Sequence, residues 1–141
     1  MGRWKQHENN MKMNMKKTFE MIVKGKTQKP VPPPLEGICR KNELKLIGVT
    51  LNENPCNWDT QFENMMNKAS SRLYILRVCK YYGYSLHELT VLFNSLIMSL
   101  FSYAIEVWAC ASESKYLCQI DKFCKRALRY GYTISFVPIM E

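Results

Sequence analysis

The sequence predicts a mainly α fold with a small β portion: two N-terminal strands followed by a three-helix bundle. Three observations carry that expectation. Between Trp58 and Arg129, apolar residues recur at three- and four-residue steps in three runs separated by short breaks. Ahead of Trp58, short apolar stretches alternate with polar residues and are bounded by Gly and Pro, the pattern of strands and turns. The 141 residues are 47% hydrophobic, enough to fill the core of one domain and too apolar for a disordered chain.

Residues 4–14 are polar apart from Trp4, Met11 and Met13, and suit the last turns of a helix. Residues 18–24 read as a strand, because Phe19, Met21 and Val23 alternate with Glu20 and Lys24, with Ile22 interrupting the alternation. Gly25 is a turn position. Pro30, Pro32, Pro33 and Pro34 are four of the six prolines. They remove backbone donors and fix φ, so this piece is expected to be a stiff, extended connector, and a proline-motif ligand for a partner domain is its other use. Residues 43–51 read as the second strand, and Gly48 within it marks a bulge, a bend or a close backbone approach. Residues 52–57, with Pro55, form a turn.

The first helix is expected to begin near Asp59 as N-cap, with Phe62, Met65, Met66, Ala69, Leu73 and Leu76 on its inner face. Lys68, Arg72, Arg77 and Lys80 fall on its other faces, and Gly83 closes it. Ser85, with Glu88 three residues on, makes a capping box for the second helix, 85–111. Leu89, Leu92, Phe93, Leu96, Ile97 and Leu100 form its stripe, and Val91 and Phe101 widen it, so this helix is expected to be buried by the others. Ser112 or Ser114 caps the third helix, Leu117, Ile120, Cys124, Ala127 and Leu128 face inward, and Gly131 ends it. The chain thus divides into a front part (1–57), a helical region (58–131) and a short tail (132–141).

A membrane span is the competing reading of the second helix. From Leu89 to Ala111 only Glu106 is charged, and the length suffices to cross a bilayer. Asn94, Ser95, Ser99, Ser102 and Glu106 are explained better by a central helix of a soluble bundle, so no membrane partner is expected.

Net charge is +8, and residues 1–30 hold eight basic against two acidic residues. Such a surplus steers a chain toward polyphosphate or anionic lipid, or simply forms a solvated basic face. The six cysteines include no CxxC pair, and Arg3, Lys5 and His7 interrupt any apolar leader, so reduced thiols and an intracellular setting are expected. His7 and His87 are the only histidines. No glycine-rich phosphate loop, zincin motif or nucleophile elbow occurs. Asp59 and Asp121 are the only aspartates, whereas two-metal phosphoryl transfer needs carboxylates clustered around ions about 4 Å apart. Autonomous polymerase or nuclease chemistry is therefore disfavoured, and no catalytic residue, metal ligand or cofactor is assigned. The positive signal is the third helix, where Lys122, Lys125, Arg126 and Arg129 share one side and suit phosphate contact. Tyr81, Tyr82 and Tyr84 beside Lys80 add stacking surfaces.

In order and spacing the residues are similar to a known family. Trp4, then Asn10-Met11-Lys12-Met13-Asn14, Lys16-Lys17-Thr18 and Glu20-Met21-Ile22-Val23 precede Lys45-Leu46-Ile47-Gly48-Val49-Thr50-Leu51 and Trp58. Lys68-Ala69-Ser70-Ser71-Arg72-Leu73-Tyr74-Ile75-Leu76-Arg77, Phe93-Asn94-Ser95-Leu96-Ile97, Tyr103-Ala104, Glu106-Val107-Trp108 and Lys125-Arg126-Ala127-Leu128-Arg129 follow. The chain resembles the end of the palm and the thumb-like helical region of reverse transcriptases from non-LTR (LINE-type) retrotransposons. Met98 departs from the pattern, standing where the family often has arginine, and Phe93 stands where it often has tyrosine.

The resemblance implies a palm-end hairpin and a three-helix thumb-like bundle, catalytically incomplete, that positions an RNA or DNA primer–template. Ile47, Gly48 and Val49 correspond to the hairpin associated with the primer end. Phosphate contacts would come from Arg72, Lys122, Lys125, Arg126 and Arg129. Magnesium would belong to the catalytic palm, which these residues do not include, and the remainder of such an enzyme is an implied partner. A helical protein-interaction module and a small single-span membrane protein are the alternatives.

Overall fold

The computed structural model describes residues 13–25, 30–103, 105–108 and 114–135. The helix end expected at 4–14 lies almost wholly outside them, as do the Ser112 cap and the end of the second helix. The fold is mixed α/β, with a small two-stranded β-hairpin against a bundle of three joined helices.

At the front, the strand expected at 18–24 shrinks to β1 (Phe19–Glu20), which pairs in parallel with β2 (Cys39–Arg40). The proline connector between them is held by one guanidinium. Arg40 donates to the carbonyls of Pro32 (2.8 Å) and Pro33 (3.0 Å) and to Glu20 Oε1 (2.7 Å). Proline carbonyls without ladder partners are thereby satisfied. No residue among those described from 13 to 48 is buried, so this front part has no core of its own.

Residues 43–51, expected as one strand, are two. β3 (Glu43–Leu46) and β4 (Val49–Asn52) pair antiparallel, with Leu46 opposite Val49 across a two-residue turn. Ile47 and Gly48 both have positive φ, 47° and 81°. Left-handed conformation at both central positions is the type I′ geometry whose twist matches a hairpin. The bend thus follows from Gly48, but the alternation continues through it and conceals the reversal.

α1 (Asp59–Tyr81) is the longest helix among the described residues and buries Phe62, Met65, Ala69 and Leu76. Its N-cap is Trp58, which makes no side-chain cap bond, rather than Asp59. Asp59 instead accepts from the Tyr116 hydroxyl, tying the start of α1 to the last helix. The hairpin is stitched to α1 where Thr50 N–H donates to Gln61 Oε1 (2.9 Å) and Thr60 Oγ1 to Glu43 Oε1 (2.7 Å). Val49 joins the helical core, so the hairpin packs with the helices across the boundary drawn at residue 57.

α1 ends at Gly83 with paired bonds, Gly83 N–H to Lys80 O and Tyr84 N–H to Cys79 O, a Schellman close. Ser85 and Glu88 form the expected capping box on α2 (Leu86–Phe93). The helix then passes through a π turn (Asn94–Met98) into α3 (Ser99–Ser102) and leaves helical geometry at Tyr103 (ψ 121°). A last short piece, α4 (Ile105–Trp108), follows. Leu89, Phe93, Ile97 and Phe101 are fully buried, each four residues from the last. That spacing corrects the expected stripe: Phe101 takes the core position assigned to Leu100, which is half-buried. Four residues over-rotate an α-helix by about 40° per step, and the wider π turn absorbs the excess. Val91, Asn94, Ser95, Ser99 and Ser102 remain exposed, so the helix is two-faced rather than enclosed.

α5 (Ser114–Arg129) closes the bundle. Its inner face is Tyr116, Ile120, Phe123, Cys124 and Ala127, while Leu128, expected inward, is exposed. Beyond Gly131 the chain turns back onto α2, where Ile134 N–H donates to Thr90 Oγ1 (3.1 Å) and Thr133 is buried.

Candidate nucleic-acid interface

Two regions hold the residues expected to meet nucleic acid. The first is the outer side of α5. Because Ile120, Phe123, Cys124 and Ala127 point inward, helical geometry sends Lys122, Lys125, Arg126 and Arg129 outward, and all four are exposed. None is in a salt bridge among the described residues. Arg126 lies with its guanidinium carbon 5.3 Å from the Phe123 ring centroid. Lys122 and Arg126 border a surface recess of about 320 Å³ between α1 and α5.

Arg72 stands apart from this row. Its guanidinium donates to the carbonyl of Leu96 inside the π turn and is half-buried. That bond braces α1 against the π turn.

The second region is the hairpin tip. Ile47 is 81% exposed and adopts a left-handed φ that a β-branched side chain rarely tolerates. The Tyr103 hydroxyl donates to the Ile47 carbonyl and holds the turn in place. A Cβ added at Gly48 would sit 3.4 Å from the Tyr103 ring, an ordinary contact, so it is the positive φ that calls for glycine there. Lys45, Gly48, Asn64, Lys68 and Tyr103 border a recess of about 270 Å³ beside the tip. Ile47, Gly48 and Val49 do not share one environment: the first two are exposed and Val49 is core.

At the far end of the bundle, Lys80 Nζ donates to the Tyr130 carbonyl (2.6 Å), giving the C-terminus of α5 a cation and a bond. It lies 5.5 Å from the Tyr132 ring centroid. Tyr81 and Tyr82 are 86% and 75% exposed and meet edge to face at 5.6 Å, so their rings are open to solvent.

Sequence reasoning passed over Tyr74, Arg77, Tyr130 and Tyr132, which line a cleft of about 490 Å³ with Arg126. The signal was present as Tyr74 and Arg77 three apart on α1, and Arg126 near the end of α5 with Tyr130 just beyond that end.

Two ionisable groups have shifted pKa values near these regions. The hydrogen bond to Asp59 pushes the Tyr116 phenol up. Burial, with Asp121 adding to it, pushes the Cys124 thiol up to about 12. Neither suits a nucleophile or base at neutral pH, and no group of three or more His, Cys, Asp or Glu able to hold a metal ion occurs among the described residues. No protein-family model, curated protein or solved structure matches the chain.

Proposed function

We propose that this chain is the palm-end hairpin and thumb-like helical region of a reverse transcriptase of the non-LTR retrotransposon type, and that it holds a primer–template duplex by phosphate contacts without making or breaking bonds. The observation that carries the reading is the α5 row. Four cations stand on the outward side of a helix whose inner face is fully packed, and no acid among the described residues neutralises them. Such a row suits the regular phosphates of a duplex, giving salt-dependent, sequence-indifferent binding. Further support comes from the strained hairpin tip, since backbone strain held in place by a neighbour clusters at functional sites. The coreless front part adds to it. Phe19, Val23, Val31 and Leu35 are exposed there, a surface that the rest of a palm would cover. Salt-titrated binding of the full chain to a primer–template tests the reading: a steep fall in affinity with salt supports it, and a salt-insensitive or absent interaction in a folded sample refutes it.

Two other readings rest on observations of their own. Leu86–Val107 is long and apolar enough to cross a bilayer by length and composition. The hydroxyls of Thr90, Ser95, Ser99 and Ser102 donate to carbonyls of the preceding turn, which suits an apolar surrounding. Against a span stand the break at Tyr103 and the four residues that this helix buries against its neighbours. Retention in membranes through carbonate extraction would establish it. The exposed Tyr81, Tyr82 and Tyr84, with Leu86 beside them, favour a protein-interaction module. Binding to a protein partner that survives high salt and nuclease treatment would favour that reading over the nucleic-acid one.

A further inference from the structure

The cleft between the C-terminal halves of α1 and α5 combines features that a solvated basic face does not need. It is an open surface recess of about 490 Å³. Tyr74 comes from α1, and Tyr130 and Tyr132 follow α5, so aromatic rings reach it from both sides. Tyr74 and Tyr130 leave 65% and 54% of their surfaces open. The rings of Tyr130 and Tyr132 are 6.1 Å apart and tilted by 55°, so neither covers the other's face. Arg77 and Arg126 bring one guanidinium from each helix, and among the described residues no acidic one lines the cleft. Lys80 holds the Tyr130 carbonyl and adds positive potential beside Tyr132.

We propose that this cleft binds single-stranded nucleic acid, taking one unpaired base against its tyrosines and the flanking phosphate on Arg77 and Arg126. The inference rests on the nucleic-acid reading of the α5 row and deepens it. A duplex keeps its bases stacked inside and offers only its backbone to a concave site of this size. An unpaired nucleotide offers both a π face and a phosphate, the two chemistries present here. A planar guanidinium fork matches a phosphate, and phenol rings stack on any base. The site therefore distinguishes an unpaired extension of a template or primer from the paired region that α5 would grip.

The test uses the full chain and three fluorescein-labelled probes in fluorescence anisotropy: a 12-nucleotide oligothymidylate, an abasic strand of the same length and a blunt-ended duplex. The oligothymidylate is expected to bind roughly tenfold more tightly than the abasic strand, the discrimination that one stacked base supplies. Tyr74→Leu and Tyr130→Leu keep apolar bulk and remove the rings. Each is expected to abolish most of that discrimination while blunt-duplex affinity stays at the wild-type value, with circular dichroism confirming the fold. Arg77→Gln is expected to weaken both single strands. Equal affinity for the base-bearing and abasic strands overturns the proposal. So does an equal loss of duplex and single-strand binding in the tyrosine variants, or competition by an acidic peptide with no effect of removing the base. Duplex binding reports on the α5 row, so its absence refutes that row's role without touching the comparison between the two single strands.

Discussion

Replacing Phe101 or Leu100 by alanine separates two registers of the central helix. An uninterrupted α-helix would direct Leu100 at the core and leave Phe101 on its flank, whereas the π turn at Asn94–Met98 reverses their roles. Phe101 is 0% exposed and packs edge to face on Phe123 with centroids 5.7 Å apart. Fully buried phenylalanine truncations cost about 3–5 kcal/mol, combining lost transfer energy with the cavity left behind. The aromatic pair places Phe101→Ala near the middle, about 4 kcal/mol. Leu100 is only half-buried, so Leu100→Ala is expected to cost about 1–2 kcal/mol. Single domains are stable by about 5–15 kcal/mol, so the first change removes a large share and the second a small one. Urea unfolding followed by circular dichroism at 222 nm reads the difference. With a slope of about 2 kcal/mol per molar, the midpoint falls by about 2 M for Phe101→Ala and by under about 1 M for Leu100→Ala. Equal losses, or a larger loss at Leu100, would refute the π-turn register and with it the placement of the outer face.

The hairpin tip and the buried thiol give further expectations. Ile47→Asn suits the left-handed turn and should stabilise the protein by about 1 kcal/mol, while Gly48→Ala, forced into φ 81°, should destabilise it by about 1–2 kcal/mol; thermal melts of both variants check the opposite signs. Cys124, with its pKa pushed up to about 12, should resist iodoacetamide at pH 8 while exposed Cys39, Cys56 and Cys118 react, as read by peptide mass mapping. The same shift fixes a pH dependence: between about 9 and about 12 the unfolded chain loses the thiol proton and the folded chain keeps it, so stability falls as pH rises. A Cys124→Ala variant should lose this component of the alkaline decline in the urea midpoint. Arg72→Met should lower stability, through the lost bond to the Leu96 carbonyl, without altering the salt dependence of nucleic-acid binding.

What the sequence reveals and what it hides divide along physical lines. The three helices are legible because local signals agree with packing: apolar steps of three and four, the Ser85–Glu88 box, and glycines at 83 and 131 in closing turns. Apolar alternation alone hides the hairpin, because its turn lies within an apolar run and uses Ile47 where Asn or Gly would announce a reversal; the family resemblance is what places a hairpin at residues 45–51. The π turn leaves no composition of its own, so the face of the central helix rotates unannounced from Leu100 to Phe101. On α5 the cationic row follows from spacing alone, yet the inner face turns enough to bury Tyr116 and Phe123 and expose Leu128. Arg72 looks like its charged neighbours on α1, and its bond to a carbonyl on another helix is not legible from the sequence. The aromatic cleft needs two helices and the turn after α5, and no single stretch of sequence displays it.

The most direct test measures primer–template affinity across a salt series for the native chain and for a variant with Lys122, Lys125, Arg126 and Arg129 all changed to glutamine. Each phosphate contact contributes about −0.9 to the slope of log affinity against log salt, so losing four should flatten it by about 3–4. A variant that keeps the native fold and loses that much slope is the predicted result. A folded variant with the native slope would contradict the assignment of the α5 row.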